Sequence, residues 1–113
     1  MEAKATSKYV RSTARKARLV ADAVRGMNVG QALSLLEFSI KKKVSEDVAK
    51  VVKSAVANLQ SNNSSVNVNA DELKITEIFV NQGPMMKRFR PRSQGRAYSI
   101  LKRLCHITVT VSN

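Results

Sequence analysis

The chain has 113 residues, enough for one domain with a modest core and too few for a second. Hydrophobic residues make up 43% and charged residues 25%, an ordinary globular balance, yet 20 Lys and Arg stand against 8 Asp and Glu, a net charge of +12. Self-repulsion on that scale calls for a polyanionic partner, nucleic acid first and an anionic membrane second, while no segment approaches the roughly 20 apolar residues of a membrane helix.

From Ala3 to Val10 the residues alternate loosely, with Ala3, Ala5 and Tyr9 set against Lys4, Thr6 and Lys8, which reads as an edge strand. The opening "MEAKATSKYV" lacks the apolar core of a signal peptide. Ser12 or Thr13 can cap a first helix in which Ala17, Val20, Ala21 and Val24 recur at helical spacing, with Gly26 as its stop. Arg15, Lys16 and Arg18 lie on other sides of that helix, and Arg11 just precedes it. They read as a phosphate-contacting face, against the alternative of an ordinary solvated basic face.

A second helix opens at Asn28 with Gln31 three residues on, as in a capping box, and its buried stripe is Val29, Ala32, Leu33 and Leu36. The third runs from about Lys43 to about Gln60. Val44, Val48, Val51, Val52, Ala55 and Leu59 form its apolar stripe, and Glu46 is spaced to pair with Lys50. Valine is a mediocre helix former, so packing must hold this helix more than propensity does. Lys41, Lys42 and Lys43 fall at its start, where the macrodipole disfavours cations. An external anion and a solvated turn fit that placement equally.

Ser61 to Asp71 is a polar connection, and two strand-like runs follow it. In "ELKITEIFVNQ" the two faces are not cleanly separated. In "LCHITVTVS" they are: Cys105, Ile107, Val109 and Val111 alternate with His106, Thr108 and Thr110. The order of elements implies an α+β fold, three helices packed on a small antiparallel sheet.

Between the two runs lies "MMKRFRPRSQGRAYSILKR", with seven Lys or Arg and no acid. The gap far exceeds the roughly two to five residues of a hairpin loop. A disordered loop, a short helix or a hairpin with prolonged arms could fill it. Pro84, Pro91 and Gly95 oppose a helix, and the alternation of Arg88, Arg90 and Arg92 with Lys87, Phe89 and Pro91 favours extended chain. A hairpin turning near Arg92–Gly95 would have arms of roughly 30 Å at strand rise. A ribbon of that length and charge is expected to be mobile alone and to be ordered by phosphates, with Phe89 or Tyr98 stacking on bases. Single-stranded or folded RNA suits such a thin probe better than duplex DNA.

His106 and Cys105 are the obvious chemical side chains, but neighbours on a strand point to opposite faces and form neither a nucleophile–base pair nor a chelate. Cys105 reads as a small core residue, and His106 as lying on the RNA-facing or solvent side. One His and one Cys are too few for a zinc site within one chain, and no glycine motif that cradles phosphate is present. No catalysis, metal or cofactor is expected.

Three stretches together, "YVRSTARKARLVADAVRG", "GPMMKRFRPRSQGRA" and "KRLCHITVTV", resemble the L twenty-two family of large-ribosomal-subunit proteins, bacterial type, in order and over essentially the whole chain. Ala14, where many relatives have proline, and Leu104 with Cys105, where small polar residues are common, depart from the pattern. The resemblance implies a single ribosomal RNA-binding domain over residues 1–113, with an extended hairpin arm at about 83–101. It implies a structural constituent of the large subunit that joins several rRNA domains during assembly. Taken with the residue patterns above, the expected rRNA contacts are Arg11, Arg15, Lys16, Arg18, Lys87, Arg88, Arg90, Arg92, Arg96, Lys102, Arg103 and His106. The tip, Met86, Lys87, Arg88, Phe89, Arg90 and Arg92, would line the nascent-peptide exit tunnel.

Implied partners are large-subunit rRNA, neighbouring ribosomal proteins and the nascent peptide, in the cytoplasm within the ribosome, with no membrane and no homo-oligomer. The alternative is a free basic architectural protein binding DNA or RNA. It would need a dimer interface or a reading helix, and neither is evident. A membrane-active cationic protein would gather its apolar residues on one helix, whereas here they divide among three helices and two strands.

Overall fold

The computed structural model describes residues 2–62, 72–91, 95 and 97–112. The elements run β1 (Glu2–Val10), α1 (Ala14–Val24), α2 (Val29–Glu37), α3 (Lys42–Asn62), β2 (Lys74–Pro91) and β3 (Ala97–Ser112). The strands form an antiparallel sheet in the order β1–β3–β2, so the last strand in sequence is central. This is the expected α+β architecture of three helices and a small antiparallel sheet. The connection at 63–71 lies outside the described residues.

Period-two alternation survives intact on the central strand, where Cys105, Ile107, Val109 and Val111 are fully buried against the helices. Thr108 and Thr110 point the other way and are still buried. The Thr6 and Thr108 hydroxyls lie 3.3 Å apart and share a hydrogen bond across the β1–β3 pair.

The blurred faces of β2 have a definite cause. Ile75 pairs with Val111 and Glu77 with Thr110, so Thr76 is an extra residue and the strand bulges there. The insertion reverses the phase of the side chains: Leu73 and Ile75 face the core before it, Ile78 and Val80 after it. The Thr76 hydroxyl donates to the Thr110 carbonyl at 3.2 Å and occupies a group beside the break.

On β1, Ala3 and Ala5 are buried as their alternation predicts, but Tyr9 does not continue the pattern. The register breaks between Ser7 and Val10, and Tyr9 takes φ 57° and is 61% exposed.

Thr13 rather than Ser12 caps α1, its Oγ1 accepting from the Lys16 N–H at 3.3 Å. Gly26, at φ 78°, ends the helix in the left-handed region that costs glycine least, and its N–H donates to the Ile75 carbonyl. β2 is an edge strand, and α1 covers that edge. Arg18 Nε donates to the Val80 carbonyl at 3.1 Å, and Arg25 Nη2 to the Ile78 carbonyl at 2.9 Å. These bonds take up carbonyls that would otherwise offer a template for another strand.

Asn28 caps α2 through its Oδ1, which accepts from the Gly30 N–H at 2.9 Å, and Leu33 is only partly buried. The predicted stripe of α3 is buried in full, together with Ser45. The expected Glu46–Lys50 pair is not made. Among the described residues the ion pair is Arg25–Asp22 at 2.7 Å, exposed and therefore a minor contributor.

Replacing Leu59, a fully buried residue of α3, by Ala should cost about 2–5 kcal/mol through lost burial and the cavity left behind. Phe38→Ala, at an 84% exposed position, should change stability by no more than about 0.5 kcal/mol. Urea denaturation midpoints of the two variants give the comparison.

Candidate nucleic-acid interface

Beyond the body, β2 and β3 continue as a two-stranded arm. Gln82 pairs with Cys105 and Met85 with Arg103, so Gly83 and Pro84 of β2 stand against Leu104 alone. This second bulge suits Pro84, which has no N–H to give a ladder. From Met85↔Arg103 the pairing runs without a break to Pro91↔Ala97, roughly 20 Å at strand rise. The molecule is accordingly elongated, 65 × 26 × 15 Å along its principal axes. The last pair is Pro91↔Ala97, and the turn expected near Arg92–Gly95 falls, Gly95 apart, outside the described residues. Gly95 has φ 69°, and Arg92 and Arg96 lie outside the described residues.

The register settles how so much charge fits on a narrow ribbon. Lys87 faces Leu101, Arg88 faces Ile100, Arg90 faces Tyr98, Met85 faces Arg103 and Met86 faces Lys102. No cation of the arm's paired residues sits directly across from another, an arrangement that avoids the penalty of opposed like charges. Sliding one strand by a single residue would set Lys87 against Lys102. Phe89 and Met85 are largely exposed, and Arg88 Nη1 donates to the Lys87 carbonyl of its own strand at 2.9 Å.

At the arm's root, the start of α1 and the turn into α3 enclose a cleft of about 830 Å³. Eight cations line it: Arg11, Lys16, Lys41, Lys42, Lys43, Arg88, Lys102 and Arg103. No Asp or Glu does, and Met86, Leu101 and Leu104 supply apolar wall. The first residues of α1 and α3 border the same space, and their helix dipoles add positive potential. Geometry of this kind takes an anion with several spaced charges far better than a single one.

Sequence reasoning had singled out Arg11, Lys16, Met86, Arg88, Lys102 and Arg103 separately, and the fold brings them together. It adds Lys41–Lys43, for which an anion and a solvated turn had fitted equally. No local signal could have decided between them, because their place depends on packing of the α2–α3 turn beside the arm. Other candidates lie elsewhere. Arg15 and Lys87 are exposed outside the cleft, and Arg18 is committed by one N–H to β2. His106 Nδ1 accepts from the Tyr9 N–H at 3.0 Å, and the two rings meet edge to face at 5.1 Å. The side chain of Arg90 is outside what the structure describes.

Cys105 faces the core, as expected. Burial pushes its thiol pKa up and the Asp47 carboxylate adds to the shift, so it stays protonated and unreactive at neutral pH. Among the described residues no group of His, Cys, Asp and Glu could hold a metal ion, and no helix is long and apolar enough to cross a membrane.

These features define a basic α+β protein built around a projecting cationic hairpin. Residues 5–112 match the family model described as ribosomal protein L22p/L17e. The chain is 50% identical over 111 residues to the large ribosomal subunit protein uL22 of Clostridium novyi (strain NT), covering 98% of this chain and 96% of that protein. The chain belongs to this ribosomal protein family, whose members are structural, non-enzymatic components of the large subunit.

Leu101→Lys would place an ammonium directly across from Lys87, at a cost of about 0.2–1 kcal/mol to the pairing. Amide exchange should therefore quicken along residues 85–91 while the amides of β1 keep their protection. Uniform quickening throughout the sheet would mean that arm and body open together.

Proposed function

We propose that this protein binds large-subunit ribosomal RNA through the cleft and the arm, joins several rRNA domains during assembly, and contributes its hairpin tip to the wall of the nascent-peptide tunnel. The supporting observation is the acid-free cleft with eight cations at the root of a projecting basic ribbon. Phosphates of a folded RNA can enter the cleft while the arm continues between RNA elements. In this reading Arg11, Lys16, Lys41–Lys43, Lys102 and Arg103 hold phosphates where arm and body meet. Arg15 and Arg18 extend the contact along α1. Lys87, Arg88, Arg90, Arg92 and Arg96 follow the arm, and the tunnel-facing stretch is Met86, Lys87, Arg88, Phe89, Arg90 and Arg92, which begins where Met86 and Arg88 line the cleft. The partners are rRNA, neighbouring large-subunit proteins and the nascent peptide in transit, and the whole chain acts as one RNA-binding domain.

Salt dependence tests the phosphate contacts. Replacing Lys41, Lys42 and Lys43 together by Gln should lower the slope of log affinity against log salt for an rRNA fragment by about 2 to 3. Lys53→Gln, exposed on α3 and away from the cleft, should leave it unchanged. An equal slope in the triple variant would remove the cleft from the interface. Random duplex DNA binding as tightly as rRNA at physiological salt would favour a free architectural protein instead. A photo-crosslinker at Phe89 in ribosomes carrying a nascent chain should capture that chain, and capture of rRNA alone would place the tip outside the tunnel.

A further inference from the structure

We infer that His106 is a positioning residue for the RNA-binding surface: its imidazole sets the two backbone distortions from which the cleft and the arm depart, and does not itself meet RNA. The inference rests on the proposed rRNA binding for its consequence, and on geometry alone for its mechanism.

His106 sits on the central strand, paired with Asn81, at the level where both neighbouring strands leave the regular ladder. β1 breaks register between Ser7 and Val10, and β2 bulges between Gln82 and Met85. One ring touches both breaks. On the β1 side, Tyr9 is the one non-glycine residue with positive φ among the described residues, a conformation that a β-carbon disfavours. Its N–H donates to His106 Nδ1 at 3.0 Å, and its ring packs edge-on at 88° to the imidazole. On the β2 side, a β-carbon on Gly83 would lie 3.3 Å from both Cε1 and Nε2 of His106 and 3.1 Å from the Leu104 carbonyl. A side chain at this position would press first on the Leu104 carbonyl and next on the imidazole, so either the strand or the ring would have to shift by a few tenths of an ångström.

Both distortions lead straight to the cleft. Two residues after the kink the chain reaches Arg11, and two residues after the Gly83–Pro84 bulge it reaches Met86, both in the cleft wall. Since Nδ1 accepts, the proton of the neutral ring lies on Nε2. An RNA donor competing for Nδ1 would leave the Tyr9 amide without its partner.

The test uses the full-length protein in three variants. His106→Ala removes the ring and the acceptor, His106→Asn keeps an acceptor oxygen close to the Nδ1 position, and Gly83→Ala keeps the imidazole but crowds it. In His106→Ala, Tyr9 amide exchange should quicken and affinity for a large-subunit rRNA fragment should fall, each by roughly tenfold, with a shallower salt slope because cations no longer converge. His106→Asn should restore both readouts, and Gly83→Ala should weaken binding with the imidazole present. The proposal is overturned if His106→Asn protects the Tyr9 amide yet binds as poorly as His106→Ala, since the imidazole would then contact RNA. It is equally overturned if His106→Ala and Gly83→Ala bind like the wild type. Absence of rRNA binding by the wild type would instead remove the proposed function and leave the Tyr9 exchange result standing.

Discussion

Uncompensated positive charge is the constraint that shapes this molecule. Twenty cations against eight acids must be arranged so that the chain folds before any polyanion neutralises it. Among the described residues the core holds none of them, being built from aliphatic side chains with one buried thiol. Along the paired residues of the arm, the register sets each cation against an apolar or hydroxyl-bearing partner. In the cleft the repulsion is tolerated, because its residues come from four separate elements, α1, α3, β2 and β3, that are already held by the core beneath. Stability and binding are thereby separated in space: the folded body carries the cost of bringing the charges together, and the ligand would receive them preassembled.

The basic residues are nevertheless not one functional class. Arg18 and Arg25 bond to carbonyls of β2 and close the edge of a sheet that would otherwise invite pairing. Guanidinium is suited to this, since its several N–H groups lie in one plane and one can be committed to backbone while others stay in water. Arg11 and Lys16, on or near the same helix, line the cleft. Composition reports the sum of the two uses, and only the direction of each side chain separates them.

Much of the fold was legible because its signals are local. Thr13, Asn28 and Gly26 sit where capping and helix termination require them, the valine stripe of α3 is buried as its spacing predicts, and β3 alternates cleanly. The arm was legible for a related reason: proline, glycine and alternating arginine exclude a helix and leave extended chain. What was not legible depends on partners distant in sequence. The Lys41–Lys43 triplet lies beside Lys102 and Arg103 only through the packing of α3 against the sheet. Tyr9, off its predicted face, meets the imidazole of a residue 97 positions away.

The bulges show why this limit is physical. A strand has a side-chain period of two, so one inserted residue exchanges its faces while leaving composition and length almost unchanged. At Thr76 the insertion turns Ile78 and Val80 inward; without it Glu77 and Phe79 would face the core. At Gly83–Pro84 the insertion falls where the sheet loses its helical cover, so β2 changes from a wall of the core to one side of a free ribbon. Each insertion also bends its strand and adds twist, and the sheet can therefore serve two environments with one continuous ladder. Hydrophobic pattern alone registers these points only as imperfect alternation, a flaw in the strand signal. In the folded chain the imperfection is the joint between the part that buries apolar surface and the part that carries charge outward.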